Sequence, residues 1–444
     1  MSNENSITRR RFVAGASSVL LASALEATAK DIADSAPRSE LALHGGPKAV
    51  KTPAPALPIR WGEPERERLN AMLRQSALFY WKGPQTTLFI ERFKQVCPVK
   101  YVQTCSSGTA AIHIAVAAAG IGLGDEVITS PITDIGTVIG VLYQQGVPVF
   151  ADLGTGTYNL DVADVARRIT PKTKAIIAVH LTGNPCDLHA LKALADRHKL
   201  VLIEDCAQAW GARYHGQPIG TVGHIGCFSL QNSKHVTCGD GGVVGSSDER
   251  FGPLLQRYGD KGADRLKLGG FQAFATNYRM SEPQAAIAAA QLTRLELIAA
   301  RRACLGNLLT EKIAHVPGIQ PHEVHPQDRA VYWFYFFRMR TGAFRCDRAE
   351  FVKALAAEGV EASAGYIAVP LYGEPVFQKH GFFAGRWPVR EFGLTSMDYS
   401  KHKCPEVEAI LKTGIRVTIH EAMTEDYIQA AAAAIEKVAR HYAV

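Results

Sequence analysis

Short β-branched or apolar runs recur through the middle of the chain, separated by Ala-rich or amphipathic stretches. The runs are Tyr101–Thr104, Glu126–Ser130, Pro148–Ala151, Ala175–His180, Leu200–Glu204, Gly226–Leu230 and Gly242–Gly245. Near-continuous apolarity over so few residues suits strands that are covered on both faces. Between them, Thr109–Ala119, Asp161–Arg168 and Leu188–His198 read as helices. Strand and helix in alternation predict an α/β fold with a mostly parallel sheet. Upstream, helices are predicted over Glu63–Gln75 and Thr86–Gln95. Downstream, a single long helix from Glu282 to about Lys312 is predicted to join this large unit to a smaller α+β unit. The smaller unit is built from Tyr332–Met339, Phe351–Glu358 and Glu425–Tyr442. The resulting division is 1–29, an arm over 30–59 rich in proline, a large domain over 60–310 and a small C-terminal domain over 311–444.

The first 29 residues do not belong to this pattern. Arg9-Arg10-Arg11-Phe12 precedes an apolar run, Val13 to Leu25, and Ala27-Thr28-Ala29 supplies a small-residue cleavage site. A charged start, a short apolar middle and an A-x-A end describe a cleavable export signal rather than a membrane span. Twin arginines ahead of a large apolar residue resemble the twin-arginine (Tat) signal, which implies the Tat translocase as a transient partner and a periplasmic or otherwise exported destination. Stable membrane insertion is not expected, because no apolar stretch reaches about 20 residues.

Composition narrows the class further. The 444 residues are 47% hydrophobic and 20% charged, which excludes collagen-like and disordered chains and favours two domains. The formal net charge of +7 falls to +6 once the signal's three arginines and two glutamates are removed. Basic and acidic residues are interspersed without a basic stripe, so nucleic-acid binding is not expected. The nine cysteines are scattered and never form a C-x-x-C pair, and no His/Cys spacing fits a zinc site. They read as buried free thiols, and no metal is expected.

In open parallel sheets, ligands sit beyond the carboxyl ends of the strands. Ser106-Ser107-Gly108-Thr109 lies between the first strand and an Ala-rich helix, a place where free N–H groups and the helix dipole suit an anion such as phosphate. Asp205 and Gln208 follow the run ending at Glu204, Ser229 ends the next run, and Lys234 stands five residues later, ahead of Gly239-Asp240-Gly241-Gly242. A phosphate cradle, a strand-end Asp and a nearby Lys describe a pyridoxal phosphate (PLP) site: the amine forms the Schiff base and the acid keeps the pyridine nitrogen protonated.

These stretches resemble the DegT/StrS family of PLP-dependent sugar and aminocyclitol aminotransferases, with the fold type I architecture. The resemblance runs through Ser107-Gly108-Thr109-Ala110-Ala111, Gly124-Asp125-Glu126-Val127-Ile128, Glu204-Asp205-Cys206-Ala207-Gln208-Ala209, Phe228-Ser229-Leu230, Lys234 and Asn277-Tyr278-Arg279-Met280-Ser281-Glu282. It implies that Lys234 is the Schiff-base lysine and proton shuttle, with Asp205 on the pyridine nitrogen. It further implies Gln208 near the ring hydroxyl, and Ser107, Gly108, Thr109 and Ser229 on the phosphate. Asn277 matches a residue that reaches the neighbouring subunit's phosphate, which implies a homodimer with shared sites. His180, at a strand end, either faces the site or packs. Ala362-Ser363-Ala364-Gly365-Tyr366 followed by Pro370-Leu371-Tyr372 resembles the glutamine-dependent aminocyclitol branch and places Tyr366 among substrate-contact candidates.

One position departs from the pattern. Where the family carries an aromatic that stacks on the cofactor, this chain has Asp134. Asp134 either caps the following helix or reshapes the substrate site. The reading is therefore an aminotransferase acting on a small-molecule amino donor (glutamine, glutamate or alanine) and a keto-sugar or keto-cyclitol acceptor. Elimination, epimerisation or oxidation of an amino compound, or a non-catalytic PLP-fold sensor, stays open.

Overall fold

The computed structural model describes residues 40–267 and 269–444, so the expected export signal and the first part of the arm lie outside the described residues. Seven strands form the central sheet: β1 (Tyr101–Cys105), β2 (Glu126–Thr129), β3 (Val147–Phe150), β4 (Thr173–Val179), β5 (Val201–Asp205), β6 (Ile225–Ser229) and β7 (Gly242–Ser246). They lie in the order β1-β7-β6-β5-β4-β2-β3. Strands β2 to β6 pair in parallel, and β7 alone runs antiparallel to both its neighbours. The cause is the connection: residues 230–241 join β6 to β7 as a loop, whereas a parallel neighbour needs a crossover.

The helix Gly108–Ala118 buries Ala110 to Ile112 and Ile114 to Ala118, against the helix Gly136–Tyr143 and the sheet. That second helix is not predicted from the sequence, because Thr137, Val138 and Ile139 are β-branched; packing overrides their local preference. The long helix expected over 282–312 is instead two, Glu282–Leu292 and Leu295–Ile313. At the break Thr293 Oγ1 donates to Ala290 O at 2.7 Å, and Arg294 pairs with Glu65. The physical reason is that the halves serve different neighbours. The first packs on the helices Glu63–Leu73 and Pro84–Val96, the second on Glu425–Tyr442.

A second core surrounds a four-stranded antiparallel sheet of Ile319–Pro321, Tyr335–Met339, Gly414–Val417 and Ala362–Ser363. Leu41 and Val50 of the arm join this core, and the arm is strapped down by Glu358, whose carboxylate accepts Ala42 N and Ala49 N at 2.8 Å each. Residues 371–411 behave differently from the rest of the C-terminal region: Leu371, Tyr372, Phe377, Tyr399 and Val407 belong to the core of the large unit. Phe150 at the end of β3 meets the rings of Tyr372, Phe377 and Tyr399 at 5.6–6.0 Å. All nine cysteines are unpaired, seven of them buried, as their apolar surroundings predict. Among the described residues no helix is long and apolar enough to cross a membrane.

Candidate active site

Strand register builds one side of the site. Cys105 pairs with Gly242, and Gly242 pairs with Ser229, so the turn after β1 and the end of β6 meet on one edge of the sheet. A Cβ at position 108 would lie 2.7 Å from Ser229 Cβ, and one at 242 would lie 2.3 Å from Ser107 O. Both positions therefore need glycine for the close approach itself. Ser107 caps the helix Gly108–Ala118, its Oγ accepting Ala110 N and its carbonyl accepting Ala111 N, both at 3.0 Å. The N–H groups of Gly108 and Thr109 are left at the positive end of the helix, close against the Ser229 hydroxyl.

Asp205 ends β5, buried on the same edge. Its Oδ2 accepts Thr137 Oγ1 at 2.8 Å and its Oδ1 accepts Ala207 N at 3.1 Å. Thr137 is in turn held by Thr133 Oγ1 at 2.7 Å. Burial raises the pKa of Asp205, against the hydrogen bonds of Thr137 and Ala207 and the charges of Lys234 and His180.

Lys234 stands on the loop between β6 and β7. Arg60 clamps that loop, donating to Asn232 O at 3.0 Å, to Lys234 O at 2.5 Å and to His235 O. The side chain is buried, and Nζ lies 3.7 Å from the centroid of the Trp333 ring. A ring face stabilises a desolvated ammonium less fully than water does. Burial accordingly lowers the lysine pKa to about 8, with Asp205 and Asp134 pulling the other way. The structure thus supplies a buried amine of lowered pKa within the electrostatic reach of a buried acid.

Gln208 and Tyr366 close the far side. Gln208 Oε1 accepts Thr182 N at 2.9 Å, and its Nε2 reaches Tyr366 Oη at 3.4 Å. The Tyr366 ring packs against Trp333 and Phe334 at 5.7 and 5.2 Å. Burial raises its phenol pKa, and Asp134 and Asp205 add to the rise.

The remaining candidates fall elsewhere. His180 is fully buried with both nitrogens engaged: Nε2 meets Glu204 Oε2 at 3.1 Å and Nδ1 accepts Cys186 N at 3.0 Å. Of its two readings, facing the site or packing, this geometry is the packing one. Asp134 is exposed just ahead of the helix Gly136–Tyr143, with Oδ1 accepting Gly136 N at 2.8 Å; the N-cap position itself is taken by Ile135. Its charge is nonetheless felt by Lys234 and Tyr366. Asn277 is exposed, with Oδ1 accepting Arg279 N at 3.3 Å, next to Tyr278, whose carbonyl accepts Ser106 N at 2.8 Å. Sequence reasoning missed Trp333 and Thr137. Trp333 lies within a predicted strand and reads as core, whereas the i, i+4 spacing of Thr133 and Thr137 was a usable signal. Glu282, matched as part of a motif, caps the helix Pro84–Val96 by accepting Gln85 N and Thr86 N at 2.9 and 2.8 Å.

A lysine and an aspartate at the carboxyl edge of this sheet, beside a helix N-terminus crowded to the size of glycine, define a fold type I PLP-dependent transferase. The uncommitted N–H pair fits a phosphate, and the buried amine fits an aldehyde. More narrowly, the chain belongs to the DegT/DnrJ/EryC1/StrS aminotransferase family, whose profile matches residues 60–436. It is a PLP-dependent aminotransferase, in keeping with that family. It is 38% identical to GDP-perosamine synthase of Caulobacter vibrioides over 277 residues, 62% of this chain and 74% of that protein. It is 33% identical over 360 residues to a putative L-glutamine:3-amino-2,3-dideoxy-scyllo-inosose aminotransferase of Micromonospora echinospora, 79% of this chain and 85% of that one. Among solved structures it resembles DesV of S. venezuelae, with a TM-score of 0.73 at 29% identity, over 84% of this chain and 94% of that chain. It also resembles 3-amino-5-hydroxybenzoic acid synthase, with a TM-score of 0.75 at 26% identity, over 87% of this chain and 99% of that chain.

Proposed function

We propose that the chain moves an amino group from an amino-acid donor, glutamine, glutamate or alanine, to a keto-sugar or keto-cyclitol acceptor. The observation that carries this is Lys234, a buried amine with a lowered pKa, set against the Trp333 ring and influenced by the charge of Asp205. When bound, the cofactor supplies an electron-withdrawing ring. Lys234 Nζ would hold the cofactor and, once displaced by the donor's own amine, would be the base placed to take the donor Cα proton. Asp205 would hold a proton on the ring nitrogen, while Thr137 keeps its carboxylate in place. Gly108 and Thr109 N–H and the Ser229 hydroxyl would bind the phosphate, and Gln208 would orient the ring hydroxyl. Arg416, whose guanidinium lies 4.7 Å over the Phe334 ring beside Tyr366, offers a cation for the donor carboxylate.

The active unit is a homodimer in this reading. Phe271, Phe274 and Tyr143 are exposed large apolar side chains, and Asn277 shares the exposed segment that carries the two phenylalanines. Residues 1–29 direct Tat export, which makes a free sugar, cyclitol or secreted metabolite a more natural acceptor than a cytoplasmic nucleotide sugar. Export of a reporter fused to residues 1–40 should be lost on Arg9→Lys plus Arg10→Lys; unchanged export refutes that part.

The purified chain should be yellow, with its cofactor trapped by borohydride on wild type and not on Lys234→Ala. Donor addition should bleach the colour and release a keto acid; a chain that takes up no cofactor sinks the whole reading. Asp134, a charge where the family stacks a ring, favours one second reading, in which a different carbanion reaction occurs at the same lysine. Ammonia or peroxide release in the same assay would select it.

A further inference from the structure

Away from Lys234, on the outer side of the large unit, three imidazoles and a buried carboxylate meet. His215 sits in the hairpin turn between Arg213–Tyr214 and Gln217–Pro218, and His325 and Asp328 come from the loop that leads toward Trp333. One ligand atom each of His215, His325 and Asp328 all lie within 4.8 Å of one another. His215 Nε2 is 3.8 Å from Asp328 Oδ1, and the Asp328 side chain is only 3% exposed. The ring of His189 stands 5.1 Å from that of His215, nearly perpendicular to it. We propose that His215, His325 and Asp328 form a structural divalent-metal site of the zinc class, with His189 or water as the fourth ligand.

Two nitrogens and one carboxylate oxygen are a zinc-type donor set. Bonds of about 2.1 Å set tetrahedral ligand atoms about 3.4 Å apart, so the cluster needs to contract by at most about 1.4 Å. His325 can supply that movement. It is exposed, and its side chain accepts one long hydrogen bond, from Gln327 N to Nδ1 at 3.3 Å, and rests against the His215 ring at 4.7 Å. Asp328 is already oriented, because its Oδ1 accepts His215 N at 2.8 Å, the outer-shell support that metal-binding carboxylates use.

The turn fixes where the His215 ring lies. His215 and Gly216 have φ of 46° and 81°, the left-handed pair of a tight hairpin, and the ring stacks on Tyr214 at 4.3 Å. The second cluster of ligand types among the described residues, the buried His180, Glu204 and Cys206, makes the contrast. There the carboxylate is already saturated by backbone N–H groups and His180, leaving no acceptor for an ion.

The site was invisible to spacing because His215 and His325 are far apart in sequence. A metal here would tie the hairpin to the loop at a place where Arg213 and Arg329 already exchange backbone hydrogen bonds of 3.1 and 2.8 Å. The same segment continues to Trp333, whose N–H donates to Thr182 O at 2.8 Å. Metal binding therefore braces the segment that carries the ring over Lys234.

The test uses untagged full-length protein, treated with EDTA and desalted, then titrated with Zn²⁺ and with Co²⁺. The expected result is one equivalent per chain, visible d–d bands with Co²⁺, and a melting temperature raised by Zn²⁺. His325→Ala, an exposed change that leaves the fold alone, and Asp328→Asn, which keeps the acceptor for His215 N, should each weaken binding at least tenfold. The cofactor's absorption should be unchanged in both. Absence of saturable binding at micromolar metal, or binding in both variants as tight as in the wild type, overturns the proposal.

Discussion

Glu204 and Asp205 are adjacent on β5 and face opposite sides of the sheet, and the two sides treat a carboxylate differently. Glu204 is saturated: Oε2 takes Gly220 N at 2.6 Å and His180 Nε2 at 3.1 Å, and Oε1 takes Val222 N at 2.9 Å and Gly223 N at 2.6 Å. Asp205 has one hydroxyl and one backbone N–H, and its charge is felt by Lys234. The first acid spends every lone pair on holding a loop. The second keeps acceptor capacity free and is held at a raised pKa, the state of a group kept for chemistry. Position at a strand end does not separate them; the count of satisfied lone pairs does.

The strongest way to break this contrast is a pair of substitutions. Asp205→Asn should lower kcat by about 10²–10⁴-fold through loss of the proton-holding acid, with the melting temperature near wild type. Glu204→Ala should do the reverse. It orphans three backbone N–H groups and a buried imidazole, costing about 3–5 kcal/mol in denaturant unfolding, while protein still folded keeps its cofactor spectrum. Equal melting temperatures for the two variants would erase the distinction.

A smaller effect lies in pH. The neutral amine is the nucleophile, and the lysine pKa is lowered to about 8. Cofactor uptake by the apo-protein should thus rise with pH and level off above about 8. Below that it should fall about tenfold per unit, the slope of a single titrating group. An inflection near the ordinary lysine value of about 10.4 would show that burial does not act on this amine.

The smallest effect sharpens the role of Asp134. Asp134→Asn keeps an acceptor for Gly136 N, so stability should change by less than about 0.5 kcal/mol. It removes a charge that raises the Lys234 pKa, so the inflection in cofactor uptake should move to lower pH. No movement would leave Asp134 as an acceptor for Gly136 N and nothing more.

Much of the fold was legible because strands buried on both faces announce themselves as apolar runs. Tyr101–Thr104 and Leu200–Glu204 were read to within a residue of β1 and β5. Lys234 and Asp205 were legible because ligands gather at strand ends. His180 shows the limit of that rule, which selects a level in the sheet but not a face. Trp333 and Thr137 reach the site only through tertiary packing, and a tryptophan in an apolar run carries no local mark of standing over a lysine. The break at Thr293 was hidden for a related reason, since both halves have good helix sequences and only their separate neighbours demand a corner.

The aromatic cluster around Phe150 carries a consequence for the order of events in synthesis. Phe150 is translated early, yet its partners Tyr372, Phe377 and Tyr399 come from the C-terminal third. The large unit therefore cannot complete its core on the ribosome until residues near 411 have emerged. A chain stopped at 310 would present Phe150 and its surroundings to water, an invitation to chaperones or aggregation. Maturation is gated by the finished chain, although the strand-end residues of the catalytic edge, from Ser107 to Lys234, are made well before it.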